Sequence, residues 1–375
     1  MRRFILRIHS EAILNADDGS ARRGRRQERQ LGRNRMIQDE DVHFHKADAG
    51  VPNWAETNFF GFFNAEAKLN VGVYALFRPN LGIVSSTICM NSKFANTPWE
   101  ADFCDLRASM PIPEPRDLSA FTLENTLSIK CLRPNMDWDI GYDDGEGTLI
   151  DIEYRSIMLP FDIHDPAMDP MKAKALKEAE QGGKFAWGTA YNGHFDQTGH
   201  FKGKVAIRGK AFPIDCISTM DHSWGPRPER GAPNMSWLHA HFSKDLAFHT
   251  IFSFDPKANG RELSLAHGYV VEKGKIFGLK AAHGTTKRSR DRYADEVDLV
   301  LTDSSDREWK LQGKGLTSFP WQCWPNMVSF NALARWTCEH LTGYGEIQDF
   351  FEMPQLTALN ANQTTRVLAG TAGSR

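Results

Sequence analysis

Short stretches of β-forming residues recur at even spacing through the second half of the chain, and this spacing limits the fold more than any other feature of the sequence. Three pairs of such stretches between residues 236 and 312 are centred on polar turns at residues 243–245, 272–274 and 304–306. Short polar turns between apolar, β-branched stretches are typical of antiparallel hairpins. Because no helices alternate with these strands, the sequence predicts an all-β fold, an antiparallel barrel or sandwich.

Residues 121–131 show the clearest alternation of apolar and polar side chains in the first half of the chain. Five residues are expected to share one face of an extended chain, with polar residues between them on the other face: Phe121, Leu123, Leu127, Ile129 and Cys131. This pattern predicts one continuous, half-buried antiparallel strand over the whole range.

One helix is predicted, and it divides the chain. Asp169 is expected to cap its start, Pro170 to occupy its first turn, and Gly182-Gly183 to end it. Ten arginines stand against four acidic residues in the first 35 positions, which is typical of a solvated basic tail. We therefore expect a disordered tail over residues 1–36, an N-terminal β-domain over 37–168, a connecting helix over 169–183, a C-terminal β-domain over 184–353 and a flexible tail over 354–375.

Charge and cysteine content narrow the classes of function. A formal net charge of −2 provides no overall field for binding nucleic acid or a membrane surface. The six cysteines show no C-x-x-C pair and no zinc-type spacing, so we expect reduced thiols and a cytoplasmic protein. No apolar run approaches the roughly 18 residues that span a bilayer. These features predict neither a nucleic-acid partner nor a transmembrane segment, and they leave the oligomeric state open.

The run Asp221-His222-Ser223-Trp224-Gly225-Pro226-Arg227 concentrates an acid, an imidazole, an indole and a guanidinium in seven residues. It follows a predicted strand over residues 212–217, and strand character resumes at Met235. We therefore expect the motif at the rim of a β-lined cavity, where binding residues are common. A structural role stays open, in which Asp221 caps a turn, Trp224 packs in the core and Arg227 pairs with an acid.

A second group of candidate residues lies on the next two predicted strands. His239 and His241 share one strand face with Trp237, and His249 on the following strand lies within reach of them. Three imidazoles on one β-face suit zinc or iron, but no acidic ligand stands at a fixed offset. A metal-free acid–base role and a packing role are the alternatives. The absence of G-x-G-x-x-G and Walker sequences argues against nucleotides and dinucleotides, and the absence of G-x-S-x-G argues against a nucleophilic serine. We expect neither a cofactor nor, without an acidic ligand, a metal.

The motif Asp221-His222-x-Trp224-Gly225, together with the preceding segment Gly199-His200-Phe201-Lys202-Gly203, resembles the carotenoid 1,2-hydratase and AttH-like superfamily. The longer form that ends in Pro226-Arg227 is similar to an uncharacterised bacterial branch, and the similarity covers about residues 40–353. It implies two lipocalin-like β-domains that enclose an apolar pocket. The superfamily includes a carotenoid hydratase and fungal enzymes that catalyse pericyclic cyclisations.

The resemblance also implies roles for the motif residues and shows one departure. In the hydratase branch, the residues that match His222 and Trp224 line the pocket beside a proton-donating aspartate. That aspartate would fall near His249 and Ile251 here, where no Asp is present. Either His249 or Asp221 would therefore supply the proton, or the protein does not hydrate alkenes.

Together these features predict a cofactor-free hydratase, dehydratase or isomerase, of the lyase or isomerase class, that acts on a hydrophobic terpenoid, polycyclic or aromatic substrate. A lipocalin-like carrier without catalysis is the alternative. Asp221 is expected to orient or protonate His222. The expected catalytic residues are Asp221, His222, Trp224 and His249, and the expected substrate-binding residues are Arg227, Trp237, His239, His241, Trp187 and Glu56.

Overall fold

The computed structural model describes residues 37–180, 192–227, 234–256, 261–289 and 291–361. These residues form two large antiparallel β-sheets, so the predicted all-β, lipocalin-like class is confirmed. The predicted basic tail at residues 1–36, the predicted substrate-binding residue Trp187 and residues 362–375 lie outside the described residues.

The first sheet is an open, half-barrel layer. Its strands pair in the order β4-β3-β2-β1-β11-β10-β8-β7-β6-β5, and β9 pairs with β10. Its strands are β1 (Trp54–Asn64), β2 (Leu69–Arg78), β3 (Ile83–Asn91), β4 (Phe103–Pro111), β5 (Ala120–Thr122), β6 (Ser128–Arg133), β7 (Asp137–Asp143), β8 (Leu149–Ser156), β9 (Phe161–Asp162), β10 (Gly193–Ile207) and β11 (Lys210–Pro226).

The second sheet closes into a barrel. Strands pair in the order β17-β16-β15-β14-β13-β12-β20-β19-β18, and an additional β17–β19 pairing joins eight of them into a ring. Closure leaves these eight strands without a free edge. Its strands are β12 (Met235–Ser243), β13 (Leu246–Ser253), β14 (Glu262–Glu272), β15 (Lys275–Arg288), β16 (Ala294–Asp303), β17 (Glu308–Gly315), β18 (Phe319–Trp324), β19 (Met327–Cys338) and β20 (Leu341–Glu352).

Helices are few among the described residues. The predicted helix is α1 (Pro170–Glu180), and the Asp169 carboxylate accepts a hydrogen bond from Met171 N at 2.9 Å, which confirms the predicted cap. Three short 3₁₀ turns lie at Asp39–Val42, Pro79–Leu81 and Pro98–Glu100. No helix in these ranges has the length and the hydropathy to cross a membrane.

The start of the predicted flexible tail is ordered. Residues 353–361 are helical, and Leu356, which is 8% exposed, packs into the apolar core of the barrel. An apolar side chain that packs into the core anchors this segment.

The strand predicted over residues 121–131 is a tight hairpin instead. β5 and β6 pair with each other, with Phe121 opposite Ile129, and the chain reverses at residues 123–127. Thr126 adopts a left-handed φ of 70°, which an extended strand does not allow. Phe121, Leu123, Leu127 and Ile129 are nevertheless buried, because both arms of the hairpin present them to the same core, whereas Cys131 is only half-buried.

The motif lies within a strand and not in a loop after one. β11 runs without interruption to Pro226, and residues 219–226 pair with β1 on one side. On its other side the same strand pairs with β10 as far as Trp224. Side chains along the motif therefore alternate between the two faces of the first sheet.

The boundary between the sheets falls after the motif. We expected the helix to separate the domains, but β10 and β11 follow α1 and pair within the first sheet. The chain enters the second sheet between Pro226 and Met235. The long pairings of β11 with both β1 and β10 hold the motif in the centre of the first sheet.

An apolar cluster joins the two sheets. Phe59 and Tyr74 of the first sheet pack in one buried group with Trp237, Trp321 and Phe350 of the second. The rings of Phe59 and Trp321 stack with centroids 6.2 Å apart, and Tyr74 meets Trp321 edge-on at 5.3 Å. The candidate site lies in this cluster.

Candidate active site between the sheets

A small cavity lies between the two sheets at the motif end of β11. Its volume is about 30 Å³ in this conformation, which is room for about two water molecules. Its walls are mostly aromatic rings, contributed by both sheets: Phe59, Tyr74, Trp237, Trp321, Trp324 and Phe350.

Asp221 brings a carboxyl group to this aromatic cavity. Its side chain is 7% exposed and lines the cavity wall. Burial raises the pKa of Asp221 well above its ordinary value. The charge of Asp196, its cross-strand partner on β10, raises that pKa further, whereas the Arg227 guanidinium lowers it. The neutral carboxylic acid is therefore the favoured form of Asp221.

A chain of polar groups forms the other wall of the cavity. The hydroxyl oxygens of Thr57 and Ser223 lie 2.7 Å apart, and Arg227 Nη2 donates to Ser223 Oγ at 2.6 Å. The Arg227 guanidinium also lies 4.8 Å from the ring centroid of Trp324. This arrangement fixes Arg227 at the cavity and places a polar anchor opposite the aromatic rings.

Two indoles of the cavity wall have an unused hydrogen-bond donor. Trp237 and Trp321 are 8% and 6% exposed. The N–H group of each is buried, and no acceptor for it is found within the described part of the chain. Buried donors in folded proteins normally have a partner.

Asp196 lies at the centre of a buried group of imidazoles on the same side of the first sheet. His194 Nε2 is 3.1 Å from one carboxylate oxygen, and His249 Nε2 and His267 Nε2 are 3.2 and 3.4 Å from the other. Burial by itself would raise the pKa of Asp196. The charges of His249 and His194 outweigh burial and hold that pKa well below its ordinary value. Asp196 is therefore an ionised carboxylate opposite the neutral Asp221.

The histidines predicted on β12 and β13 are brought together. His249 Nδ1 lies 2.9 Å from His239 Nδ1, so one ring donates to the other. The ring of His241 stacks on that of His239 with centroids 6.1 Å apart. Burial lowers the pKa of His239 well below its ordinary value and lowers that of His241 to about 3. Both rings are therefore neutral and lie behind the Asp196 group.

His222 and Trp224 occupy the opposite face of β11 from Asp221, because side chains alternate along a strand. His222 Nδ1 donates to the carbonyl oxygen of Thr57 at 2.7 Å, and burial lowers the pKa of His222 to about 3. Trp224 covers Gly193 of β10, where a β-carbon would overlap the indole. The expected contact, in which Asp221 orients or protonates His222, is not made.

His45 joins Glu56 on this opposite face. Its backbone N–H donates to one Glu56 carboxylate oxygen at 2.9 Å, and its Nδ1 lies 3.1 Å from the other. Burial lowers the pKa of His45, but hydrogen bonds with Asp41 and Glu56 outweigh burial and raise it to about 9. The cationic ring of His45 stacks on Trp224 with centroids 3.9 Å apart. Glu56 therefore holds His45 against Trp224 on the face of β11 that points away from the cavity, and it does not line the cavity.

Two groups of described residues bring three possible metal-ligand atoms within 4.8 Å of one another. One comprises His45, Glu56 and His222, and the other comprises His194, Asp196 and His267. Two imidazoles and a carboxylate form a donor set that zinc or iron accepts. Neither group includes His239, His241 or His249, the three histidines considered from the sequence.

The predicted site residues therefore divide into three sets. Asp221, Arg227 and Trp237 line the cavity. His249 belongs to the Asp196 group, and His239 and His241 lie behind it. Glu56, His222 and Trp224 lie on the opposite face of the first sheet.

Sequence reasoning missed Asp196, His194, His267 and His45. The pair His194-x-Asp196 was a visible signal, since residues two apart on a strand share a face. His45 and His267 are distant in sequence from the residues that they contact, and no local spacing identifies them.

Solved structures resemble this fold at low sequence identity. The crystal structure of CghA superposes with a TM-score of 0.52 at 9% identity, over 80% of this chain and 89% of that one. Kievitone hydratase from Nectria haematococca gives 0.46 at 12% identity, over 82% and 90%. A putative AttH protein from Nitrosomonas europaea gives 0.46 at 10% identity, over 81% and 93%.

At this identity the similarity to CghA shows a shared fold and nothing finer. The motif-bearing bacterial branch stays a prediction. Curated proteins give no significant sequence match. Residues 38–354 match the family described as a domain of unknown function, DUF7064. Because this match covers most of the sequence, the chain belongs to the DUF7064 family.

Proposed function

We propose that the protein is a hydratase, dehydratase or isomerase that transfers a proton to or from a hydrophobic substrate, and that Asp221 is the acid. The observation that carries this proposal is the position of the Asp221 carboxyl group in a cavity walled by aromatic rings from both sheets. A carboxylic acid that is kept neutral by an apolar site is a suitable proton donor near neutral pH.

The proposed reaction uses the Asp221 carboxylic acid and the aromatic rings that line the cavity. In the hydration direction, the Asp221 O–H group protonates an alkene carbon and leaves a carbocation and a carboxylate. Water then adds to the cation, and its extra proton returns to Asp221. The faces of Trp237 and Trp321 lie at the same cavity and stabilise positive charge, an attraction that the exclusion of water strengthens.

The substrate that fits this site is an apolar terpenoid, polycyclic or aromatic compound that carries at least one oxygen. The polar side chains that a substrate oxygen would meet in the cavity wall include Thr57, Ser223 and Arg227. A cavity of about 30 Å³ is smaller than such a compound. Binding therefore requires an indole to swing outward, and Trp324, the less buried of the wall tryptophans, is the candidate.

The remaining residues around the motif act through Asp221 or support the sheet. The ionised Asp196 carboxylate, flanked by His194 and His249, favours the protonated form of Asp221 opposite it. His222 and Trp224 fix the other face of β11 through Thr57 and His45. We assign them positioning roles.

The first test is ligand retention. The purified protein is analysed by native and then denaturing mass spectrometry to identify small molecules that it carries, and its metal content is measured. The retained compound class then supplies the substrates for turnover assays. Asp221→Asn keeps the shape of the side chain but removes the acid. Asp215→Asn makes the same change on an exposed part of β11 and is the matched control.

We expect a retained apolar compound, and we expect Asp221→Asn to lower kcat by about 100-fold or more, the size of a general-acid contribution. Asp215→Asn should leave kcat unchanged. Binding without turnover in the wild type would favour the carrier function instead. Iron or zinc at one ion per chain would overturn the cofactor-free mechanism.

A further inference from the structure

Two cysteines face each other across neighbouring strands of the first sheet. Cys89 of β3 and Cys104 of β4 are directly opposite in the strand register, and their sulfur atoms lie 3.1 Å apart. Residues directly opposite in an antiparallel pair have Cα atoms about 4.5–5.5 Å apart, which lies within the range of about 4.4–6.8 Å that a disulfide spans. The backbone is thus already placed for a bond between the two sulfurs.

The two thiols differ in a way that suits sequential oxidation. Cys104 is partly exposed on β4, which lies at the edge of the first sheet, whereas Cys89 is buried. The hydrogen bond from the Cys89 thiol lowers the pKa of Cys104, against the opposing effects of burial and of Asp105. Burial raises the pKa of Cys89. Cys104 is therefore the attacking thiolate, and Cys89 is the thiol that resolves the first product.

We propose that Cys89 and Cys104 form a redox-active pair that a peroxide converts to a disulfide. The Cys104 thiolate attacks one peroxide oxygen, the O–O bond breaks, and a sulfenic acid forms as hydroxide leaves. The Cys89 sulfur then attacks the Cys104 sulfur and breaks its S–O bond, and the sulfenic oxygen leaves as water with the Cys89 proton. The proton that Cys104 released on forming the thiolate neutralises the hydroxide to give the second water. For each disulfide, two thiols and one hydrogen peroxide give two water molecules.

The position of the pair links its oxidation state to the candidate site. Cys89 belongs to the buried cluster that includes Phe59, Tyr74 and Trp321, and Cys104 packs against that cluster. The same three aromatic residues line the cavity. A bond between the sulfurs draws β4 toward β3 beside this wall and ties down a sheet edge.

The test uses the full chain, reduced and then exposed to hydrogen peroxide at one equivalent. Free thiols are counted under denaturing conditions, and peptides are mapped by mass spectrometry. We expect the count to fall from the six cysteines of the chain to four, with one linked peptide that contains Cys89 and Cys104, and we expect a dithiol reductant to reverse both changes.

Three variants distinguish disulfide formation between Cys89 and Cys104 from nonspecific oxidation of thiols. Cys104→Ser should abolish the linked peptide and leave Cys89 reduced, because the buried thiol is not the first nucleophile. Cys89→Ser should trap Cys104 as a sulfenic acid that dimedone labels. Cys216→Ser, a buried thiol elsewhere in the sheet, should not change formation of the linked peptide. An undiminished thiol count in the wild type, or sulfinic acid at Cys104 without a linked peptide, would overturn the proposal.

Discussion

Glu346 on β20 gives the chain a calculable dependence of stability on pH. Its side chain is 1% exposed, and it accepts hydrogen bonds from Asn70 Nδ2 at 2.5 Å and Gln348 Nε2 at 2.6 Å. These bonds favour the carboxylate, but burial outweighs them and raises the pKa of Glu346 from 4.5 to about 7. Glu346→Gln replaces the carboxyl group with a neutral group of the same shape, and rotation of the Gln348 amide restores the second hydrogen bond.

The magnitude follows from linkage. The folded state binds the proton more tightly than the unfolded state, since the folded pKa is the higher one. The stabilisation that the protonated Glu346 gives the folded state is therefore fully present below pH 4.5 and is lost as pH rises through about 7. The difference between these two pKa values corresponds to about 3 kcal/mol. Between pH 4.5 and pH 8, the free energy of unfolding of the wild type should therefore fall by about 3 kcal/mol relative to that of Glu346→Gln. The variant should be the more stable protein at pH 8.

Urea unfolding followed by tryptophan fluorescence measures this difference at several pH values across that range. Glu66→Gln removes the same charge from the exposed turn after β1 and is the control. Its pH dependence should follow that of the wild type. If wild type and Glu346→Gln gave parallel stability curves from pH 4.5 to pH 8, the assignment of a buried, protonated Glu346 would be wrong.

Two further substitutions test packing and charge burial. Gly193→Ala places a β-carbon into the indole of Trp224, and we expect it to lower the free energy of unfolding by about 1–3 kcal/mol. Gly72→Ala, whose β-carbon has room, is the control. Equal effects of the two substitutions would contradict the contact between Gly193 and Trp224. Arg288 holds the fully buried Asp349 through bonds of 2.7 and 3.1 Å. Arg288→Met should therefore cost about 3–5 kcal/mol by leaving a buried charge unpaired, and adding Asp349→Asn should recover part of that loss in urea unfolding. A single Arg288→Met variant of wild-type stability would refute this account.

The all-β class could be predicted because local turn chemistry determines it. The turns at residues 243–245 and 272–274 connect paired strands where the sequence predicted them. The prediction of one strand over residues 121–131 was wrong for a reason that periodicity does not capture. A tight turn through the left-handed Thr126 places apolar residues on one side, as a straight strand does.

The site could be predicted only in part, because alternation along one strand separates residues that are adjacent in sequence. Asp221 and His222 face opposite sides of the sheet, so their closeness in the motif was misleading. Asp221, Arg227 and Trp237 converge on the cavity through pairings that the sequence does not specify. The contact of Asp196 with His267 also depends on the packing of two sheets, which no local spacing encodes.

The protonation state of Asp221 is the central claim, and infrared difference spectroscopy tests it without knowledge of the substrate. The carbonyl stretch of a protonated carboxylic acid is compared at pH 7 between wild type, Asp221→Asn and the exposed control Asp215→Asn. We predict that the wild-type-minus-Asp221→Asn difference spectrum contains a protonated-carboxyl band, because burial and Asp196 raise the pKa of Asp221. The wild-type-minus-Asp215→Asn spectrum should lack that band, and the contribution of Glu346 cancels in both differences. Loss of a carboxylate band in Asp221→Asn, with the protonated-carboxyl region unchanged, would show that Asp221 is ionised and would contradict its role as the acid.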